Sequence, residues 1–350
     1  MPTLANRFET NPILRPADCR PSRPDVIVEC LLNPGAFKQD GKIGLLLRVA
    51  ERPKQDEGFI SVPIVDEDAE GGVRMLKFSL SDPDTVTRDA RVFHYKGEAY
   101  LTTLSHLRLA WSDDGRTFTV DERPTLIGHG PLQSFGIEDS RVARLDDKWW
   151  LTYTAVSPAG VGVGLTSTVD WQAFTPHGMI FSPQNKDVAL FEEKIGGYYY
   201  ALHRPMGQGL GGNFIWTARS PDLLHWGDHR CIAFTRPGMW DSARVGAGAS
   251  PIKTPEGWLC IYHGADAAHR YCLGLLLLDL NDPTRVIARS MQPIMGPDAE
   301  YETTGFFGNV VFTNGHVIDG GTVTMYYGAS DEVICGATLS IEEMLKSLRT

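Results

Sequence analysis

A short module repeats along almost the whole of the 350-residue chain and restricts the folds open to it. Each copy is a turn containing Gly or Asp followed by a run of aromatic or β-branched residues. The copies are Asp40-Gly-Lys-Ile-Gly-Leu-Leu-Leu-Arg48, Lys96-Gly-Glu-Ala-Tyr-Leu-Thr-Thr103 and Asp146-Asp-Lys-Trp-Trp-Leu-Thr-Tyr-Thr154. They continue as Gly196-Gly-Tyr-Tyr-Tyr-Ala-Leu-His203, Glu256-Gly-Trp-Leu-Cys-Ile-Tyr-His263 and Gly320-Gly-Thr-Val-Thr-Met-Tyr-Tyr-Gly328. A turn of this composition feeding such a run is the pattern of a β-hairpin. Several copies lead into a second strand that ends in a polar turn and an aromatic: Leu109 to Phe118, Gly164 to Trp171 and Trp216 to Trp226.

The alternation recurs at roughly 50 to 60 residues, the spacing of propeller blades. The expectation is an all-β chain folded as one five-bladed β-propeller domain over residues 1–350. Six modules fit five blades if the two chain ends share one. A hairpin-rich β-sandwich is the alternative, and the even spacing favours the propeller. Residues 1–25, rich in Pro and polar side chains, read as a short N-terminal extension. A C-terminal helix is predicted at about 340–348, where Ser340 caps an acidic first turn and apolar residues follow at helical spacing.

Net charge is −10, which argues against nucleic acid or an anionic membrane as partner. No apolar run reaches the length of a membrane span; the longest, Leu273 to Leu280, is interrupted by Gly274 and Asp279. The first 25 residues lack the apolar stretch of a secretory signal. The six cysteines form no CxxC pair and read as buried thiols in a reducing compartment. A cytoplasmic protein is expected. With no HxH or HExxH pattern, no metal site is expected either.

In a propeller the innermost strand of each blade lines a central channel, so charged residues at the ends of otherwise apolar strands are site candidates. Glu138 and Asp139, in Gly136-Ile-Glu-Asp-Ser-Arg141, form the least ambiguous acidic motif. A carboxylic acid there can protonate a leaving glycosidic oxygen. Neighbours on a strand point to opposite faces, so one of the pair should face the channel and the other should hold a base such as Arg141. Taken alone the motif reads as readily as a solvated strand end. Lys186, Arg204, Lys253 and His263, with Arg48 near another strand end, form a basic set. Arg binds two phosphate oxygens through its planar fork, and Lys adds a point charge. Surface ion pairing is the commoner fate of such residues, and His263 between Tyr262 and Gly264 fits a packed strand equally well. Their recurrence at equivalent ends of successive modules favours a site.

Taken in order, these motifs resemble family 130 of the glycoside hydrolases, the mannoside phosphorylases and related β-mannosidases. The stretches that carry the likeness are Asn33-Pro-Gly-Ala-Phe37, Leu45 to Arg52, Gly136 to Arg141, Lys186 to Ile195 and Leu202 to Pro205. Val245 to Lys253, Tyr262-His-Gly264, Asn309-Val-Val-Phe312 and Tyr326 to Asp331 extend it over nearly the full length. The resemblance implies a five-bladed propeller and an inverting, single-displacement attack at the anomeric carbon. Asp139 falls at the family's general acid, which in members acting on β-1,4 bonds works through a sugar hydroxyl. Asn33, Arg48 and Asp331 fall at positions that hold the mannosyl unit. Lys186, Arg204, Lys253 and His263 fall at or near positions that bind phosphate, and Asp187 lies beside them to orient the cluster or the sugar.

The implied partners are a β-mannoside oligosaccharide and inorganic phosphate as co-substrate, with no cofactor; a homo-oligomer is left open. Ser140 stands where many members have Pro, and Thr304-Gly-Phe-Phe-Gly-Asn309 departs from the β-1,4 members. Both departures point toward the branch acting on β-1,2-mannosides. Hydrolysis of the same bond is the alternative. It needs a second carboxylate to activate water, for which Glu192 and Glu193 are candidates. A non-catalytic sugar-binding propeller would make Asp139 dispensable. A furanosidase-type hydrolase would use three acidic residues, against which the basic set weighs.

Overall fold

A computed structural model describes residues 3–87, 90–207 and 211–349. The turns at Asp40, Asp146, Gly196 and Gly320 join the first two strands of successive antiparallel sheets. The first sheet holds Val26–Gln39, Lys42–Pro53, Leu104–Ser112 and Thr119–Val120. The second runs through Ile137–Leu145, Lys148–Ser157, Gly160–Thr168 and Phe174–Phe181. The third holds Asn185–Leu190, Tyr199–Pro205, Ile215–Ser220 and Gly227–Ala233. The fourth orders Arg244–Ala247, Gly257–Ala265, Tyr271–Leu278 and Val286–Arg289, with Ile252–Thr254 also paired to its second strand. The fifth is Val311–Asp319, Thr322–Ala329, Val333–Ser340 and, from the other end of the chain, Asn6–Arg7.

The inner strands of each sheet are buried on both faces, which explains apolar runs where a half-exposed strand would alternate with polar residues. Leu45 and Leu47 pack with Tyr326 and Ile334 of the fifth sheet, while Leu46 between them packs with Leu151 and Tyr153 of the second. The same alternation sends Trp258, Cys260 and Tyr262 toward the third sheet and Leu259 and Ile261 toward the fifth. Ala143, Val163 and Leu165 meet Leu190 and Ala201 between the second and third sheets. Every sheet therefore packs on the next, and the fifth packs on the first. The first strands of the sheets lie innermost, Val26–Gln39 contacting both Ile137–Leu145 and Val311–Asp319.

Two sequence expectations change here. The copy at Lys96–Thr103 belongs to none of these sheets; Glu98–Leu101 pairs with Val92–Tyr95 in a separate three-stranded sheet. Turn chemistry is local, but the choice of partner strand is not, and the segment between Pro53 and Leu104 forms its own small sheets. The supposed N-terminal extension is knitted into the fifth sheet: Asn6 and Arg7 pair with Thr338 and Ala337, and Phe8 is buried. At the other end Ile341–Ser347 is helical, Ser340 accepts the Glu343 N–H, and Met344 and Leu345 enter the core. Among the described residues no helix is long and apolar enough to cross a membrane.

Candidate active site

The innermost strands do not stay regular. Register shifts fall between Leu32 and Gly35, between Glu138 and Arg141, and between Lys186 and Ala189, at corresponding places in the first three sheets. Within them Asn33, Asp139 and Asp187 take φ of 26°, 48° and 57°. Asn and Asp tolerate this left-handed region better than other side-chain-bearing residues, and a bulge re-aims the side chain it carries. Asp331, φ 51°, reaches the same place from the turn after Thr322–Ala329.

Asn33, Asp139 and Asp331 line a cavity of about 600 Å³. Asn33, Arg48, Asp139, Lys186, Arg204 and Asp331 are all in its wall. The Arg48 guanidinium donates from Nη2 to Glu138 at 2.8 Å, from Nη1 to Asp139 at 3.1 Å and from Nε to Ser105 at 3.1 Å. Both carboxylates of the Glu138–Asp139 pair thus meet one arginine. The opposite-face rule fails because Asp139 itself lies in the bulge, between the paired residues Glu138 and Arg141, with φ of 48°. Arg141 instead donates to the Asp139 main-chain oxygen at 3.1 Å and to Asp187 Oδ1 at 3.1 Å.

Asp187 lies beneath the cavity and is fully buried. It is ion-paired with Arg141 at 3.1 Å and Arg204 at 2.9 Å, with His263 Nε2 3.4 Å away. Gly246 has to be glycine for this contact, because a Cβ there would stand 2.3 Å from Asp187 Oδ2 and 2.5 Å from His263 Nε2. Burial alone would raise the Asp187 carboxyl, but Arg204, His263 and Arg141 hold it well below the usual carboxylate range. Burial pushes His263 down to about 4 in spite of Asp187, so the ring is neutral at neutral pH. His263 acts from below as a neutral neighbour of Asp187 and does not line the cavity.

Lys253 is a correction. It lies on Ile252–Thr254, more than half exposed, in an ion pair with Glu193. The cation the fourth sheet supplies is Arg244, the first residue of its innermost strand. Its position was readable as the fourth-sheet counterpart of Lys186, which stands second in its innermost strand. Arg244 donates to the Tyr271 hydroxyl at 2.9 Å, while its Nε is buried without a hydrogen-bond partner among the described residues. Arg204 Nη1 is in the same condition, and Lys186 forms no ion pair among them. Five basic side chains and three acidic ones line the cavity, in a protein of net charge −10. Donors left without acceptors in such a place are suited to an anion.

Burial works to raise Asp139, and Arg48, Lys186, Arg141 and the 3.2 Å hydrogen bond from Asn33 outweigh it, leaving the carboxyl below its ordinary value. Asp331 goes the other way: burial, with Asp139 adding to it, pushes it up to about 6 against the pull of Arg48. Glu192 and Glu193, the candidate bases for hydrolysis, are absent from this cavity. Glu192 accepts the Arg144 N–H and lines a separate cavity with Phe37, Trp149 and His316, and Glu193 holds Lys253.

A family model described as beta-1,4-mannooligosaccharide phosphorylase matches residues 86–350. The chain is 44% identical over 346 residues to a beta-1,2-mannobiose phosphorylase of Listeria innocua, covering 98% of each. It is 38% identical over 247 residues to a 1,2-beta-oligomannan phosphorylase of Thermoanaerobacter, covering 69% of this chain and 80% of the other. Among solved structures, a complex of beta-1,2-mannobiose phosphorylase from Listeria innocua with beta-1,2-mannobiose superposes with a TM-score of 0.94, over 99% of both chains. With its motifs, its nearly all-β architecture and these likenesses agreeing along the chain, the protein belongs to family 130 of the glycoside hydrolases.

Proposed function

We propose that this protein is an inverting phosphorylase of β-1,2-linked mannosides, giving mannose 1-phosphate. The observation that carries the reading is the group of Lys186, Arg204 and Arg244 beside Asp139, with buried guanidinium nitrogens that have no acceptor among the described residues. Phosphate held there attacks the anomeric carbon. The bond from that carbon to the glycosidic oxygen breaks, a bond to a phosphate oxygen forms, and the departing oxygen takes up a proton. Asn33, Arg48 and Asp331 hold the mannosyl unit.

Asp139 supplies the proton, directly or through a sugar hydroxyl. Arg48 and Lys186 favour its charged form and hold the carboxyl below its ordinary value. A phosphate anion on Lys186 offsets one of those cations and adds negative charge nearby, which raises the carboxyl toward the form that can give a proton. Asp187 positions Arg204 from below.

Phosphate is already an anionic nucleophile and needs no base, whereas inverting hydrolysis needs a second carboxylate across the sugar. Of the other acids in the cavity, Glu138 is tied to Arg48 and Asp331 is assigned to the mannosyl unit, while Glu192 and Glu193 lie elsewhere. The names of the relatives, together with Ser140 and the 304–309 stretch, favour the β-1,2 linkage. The five sheets, each packed on the next and the fifth on the first, support a single five-bladed propeller. Six free cysteines and a phosphorylated product that a cell must retain favour the cytoplasm.

The test is incubation with β-1,2- and β-1,4-mannobiose, each with and without phosphate. Mannose 1-phosphate formed from the β-1,2 disaccharide only when phosphate is present is the expected result. Free mannose released equally with and without phosphate would replace this reading with hydrolysis.

A further inference from the structure

One part of the cavity wall carries none of the residues assigned to phosphate or to the reacting sugar. Val92, Leu101 and Thr103 reach it from the segment between Pro53 and Leu104, and Phe306 and Phe307 reach it from the turn after Glu300–Thr303. Arg91 joins these two segments. Its guanidinium carbon stands 4.6 Å from the centre of the Phe307 ring. Phe307 is fixed in turn: its N–H donates to the Ser330 carbonyl at 2.9 Å, one residue before Asp331, and its ring meets His269 edge-on at 6.1 Å. Phe306 packs on Cys30, Leu32 and Ala50. Arg91 also lies within electrostatic reach of Asp331.

An inverting displacement places nucleophile and leaving group on opposite sides of the anomeric carbon. With phosphate among Lys186, Arg204 and Arg244, the departing sugar needs a wall that these cations do not occupy. A pyranose presents hydroxyls around its rim and C–H groups on its faces. A guanidinium offers N–H donors in one plane to the rim, and aromatic and aliphatic surfaces take the faces.

We propose that Arg91 and Phe307 form the subsite for the departing sugar, with Phe307 setting the plane in which Arg91 donates to that sugar's hydroxyls. This rests on the phosphorylase reading and adds to it a division of labour. The sheets bind phosphate and the reacting mannosyl unit, and the inserted segment selects the acceptor.

The experiment runs the reaction in the synthetic direction, with mannose 1-phosphate as donor and mannose as acceptor, and measures KM for each. Arg91→Ala is expected to raise the acceptor KM about tenfold to a hundredfold, the loss of a hydrogen bond from a charged donor. The donor KM should stay within about twofold. Arg91→Lys, which keeps charge but loses the planar fork, should shift the acceptor KM in the same direction, and it serves as the test should Arg91→Ala not fold. A donor KM that moves as far as the acceptor KM, or an acceptor KM that does not move, overturns the proposal. Failure of the parent reading is separate: the unaltered protein would then show no phosphate-dependent cleavage of β-1,2-mannobiose at all.

Discussion

Replacing Asp187 by Asn keeps the side chain's shape and removes its charge from beneath the cavity. Two buried guanidinium groups, Arg141 and Arg204, then lose their shared counter-ion. Breaking a buried pair from one side costs about 3–5 kcal/mol. The Asn oxygen can still accept from Arg141, which places the loss near the lower end, about 3 kcal/mol. In a chain of this size that lowers Tm by roughly 4 °C. The folded-state pKa of Asp187 is depressed, so its contribution is present above the ordinary value of 3.8 and is lost only as pH falls below it. The Tm gap between the two proteins should therefore persist from pH 8 down to about 4. Phosphate returns negative charge to Arg204, so it should raise the Tm of the variant more than that of the parent. Activity should fall at least about a hundredfold in kcat/KM for phosphate, because Arg204 is no longer aimed. Thermal melts with and without phosphate, paired with initial rates, make the measurement. An unchanged Tm and an unchanged kcat/KM would refute the positioning role given to Asp187.

Asp139→Asn should reduce phosphorolysis by about 10²- to 10⁴-fold, the range for a lost acid, in a protein that still melts cooperatively; full activity would move the acid elsewhere. Lys253→Ala should leave the phosphate KM unchanged and shift stability by less than about 1 kcal/mol, as for an exposed pair. A large rise in that KM would return Lys253 to the phosphate site. Asp331 is raised from 3.8 to about 6, so the folded state binds its proton more tightly than the unfolded chain does. Stability is then lost as pH climbs through that interval, by about 3 kcal/mol once ionisation is complete. Asp331→Asn should recover much of that loss at pH 7 and little at pH 4, read as Tm against pH; equal shifts at both values would contradict the assignment.

The hairpins were legible because they depend on local chemistry: a Gly or Asp turn and a run of strand-forming residues suffice to mark Asp40, Asp146 or Gly320. The copy at Lys96–Thr103 carries the same chemistry and still joins another sheet, since partner choice is a tertiary matter. Asn33, Asp139, Asp187 and Asp331 are marked by the family resemblance of the motifs around them, and periodicity alone misplaces Asp139. A strand read at period two sends Glu138 and Asp139 to opposite faces, and only the register shift against Lys148–Ser157 brings both to Arg48. Lys253 and Arg244 differ in a similar way. Both are cations in the fourth sheet, and which one meets the cavity depends on which strand lies innermost. Arg91 belongs to a segment whose placement no repeat predicts, and its aromatic partner lies more than two hundred residues away.

Phosphate as the attacking group is the central claim, and the stoichiometry and stereochemistry of the first turnovers test it most directly. Proton and phosphorus NMR of β-1,2-mannobiose with enzyme and inorganic phosphate should show one phosphate consumed for each mannose released. The first phosphorylated product should be the α-anomer of mannose 1-phosphate, as inversion at a β-linked carbon requires. Two mannose molecules appearing per disaccharide, with phosphate unconsumed, would contradict the account and make the basic cluster something other than a nucleophile site.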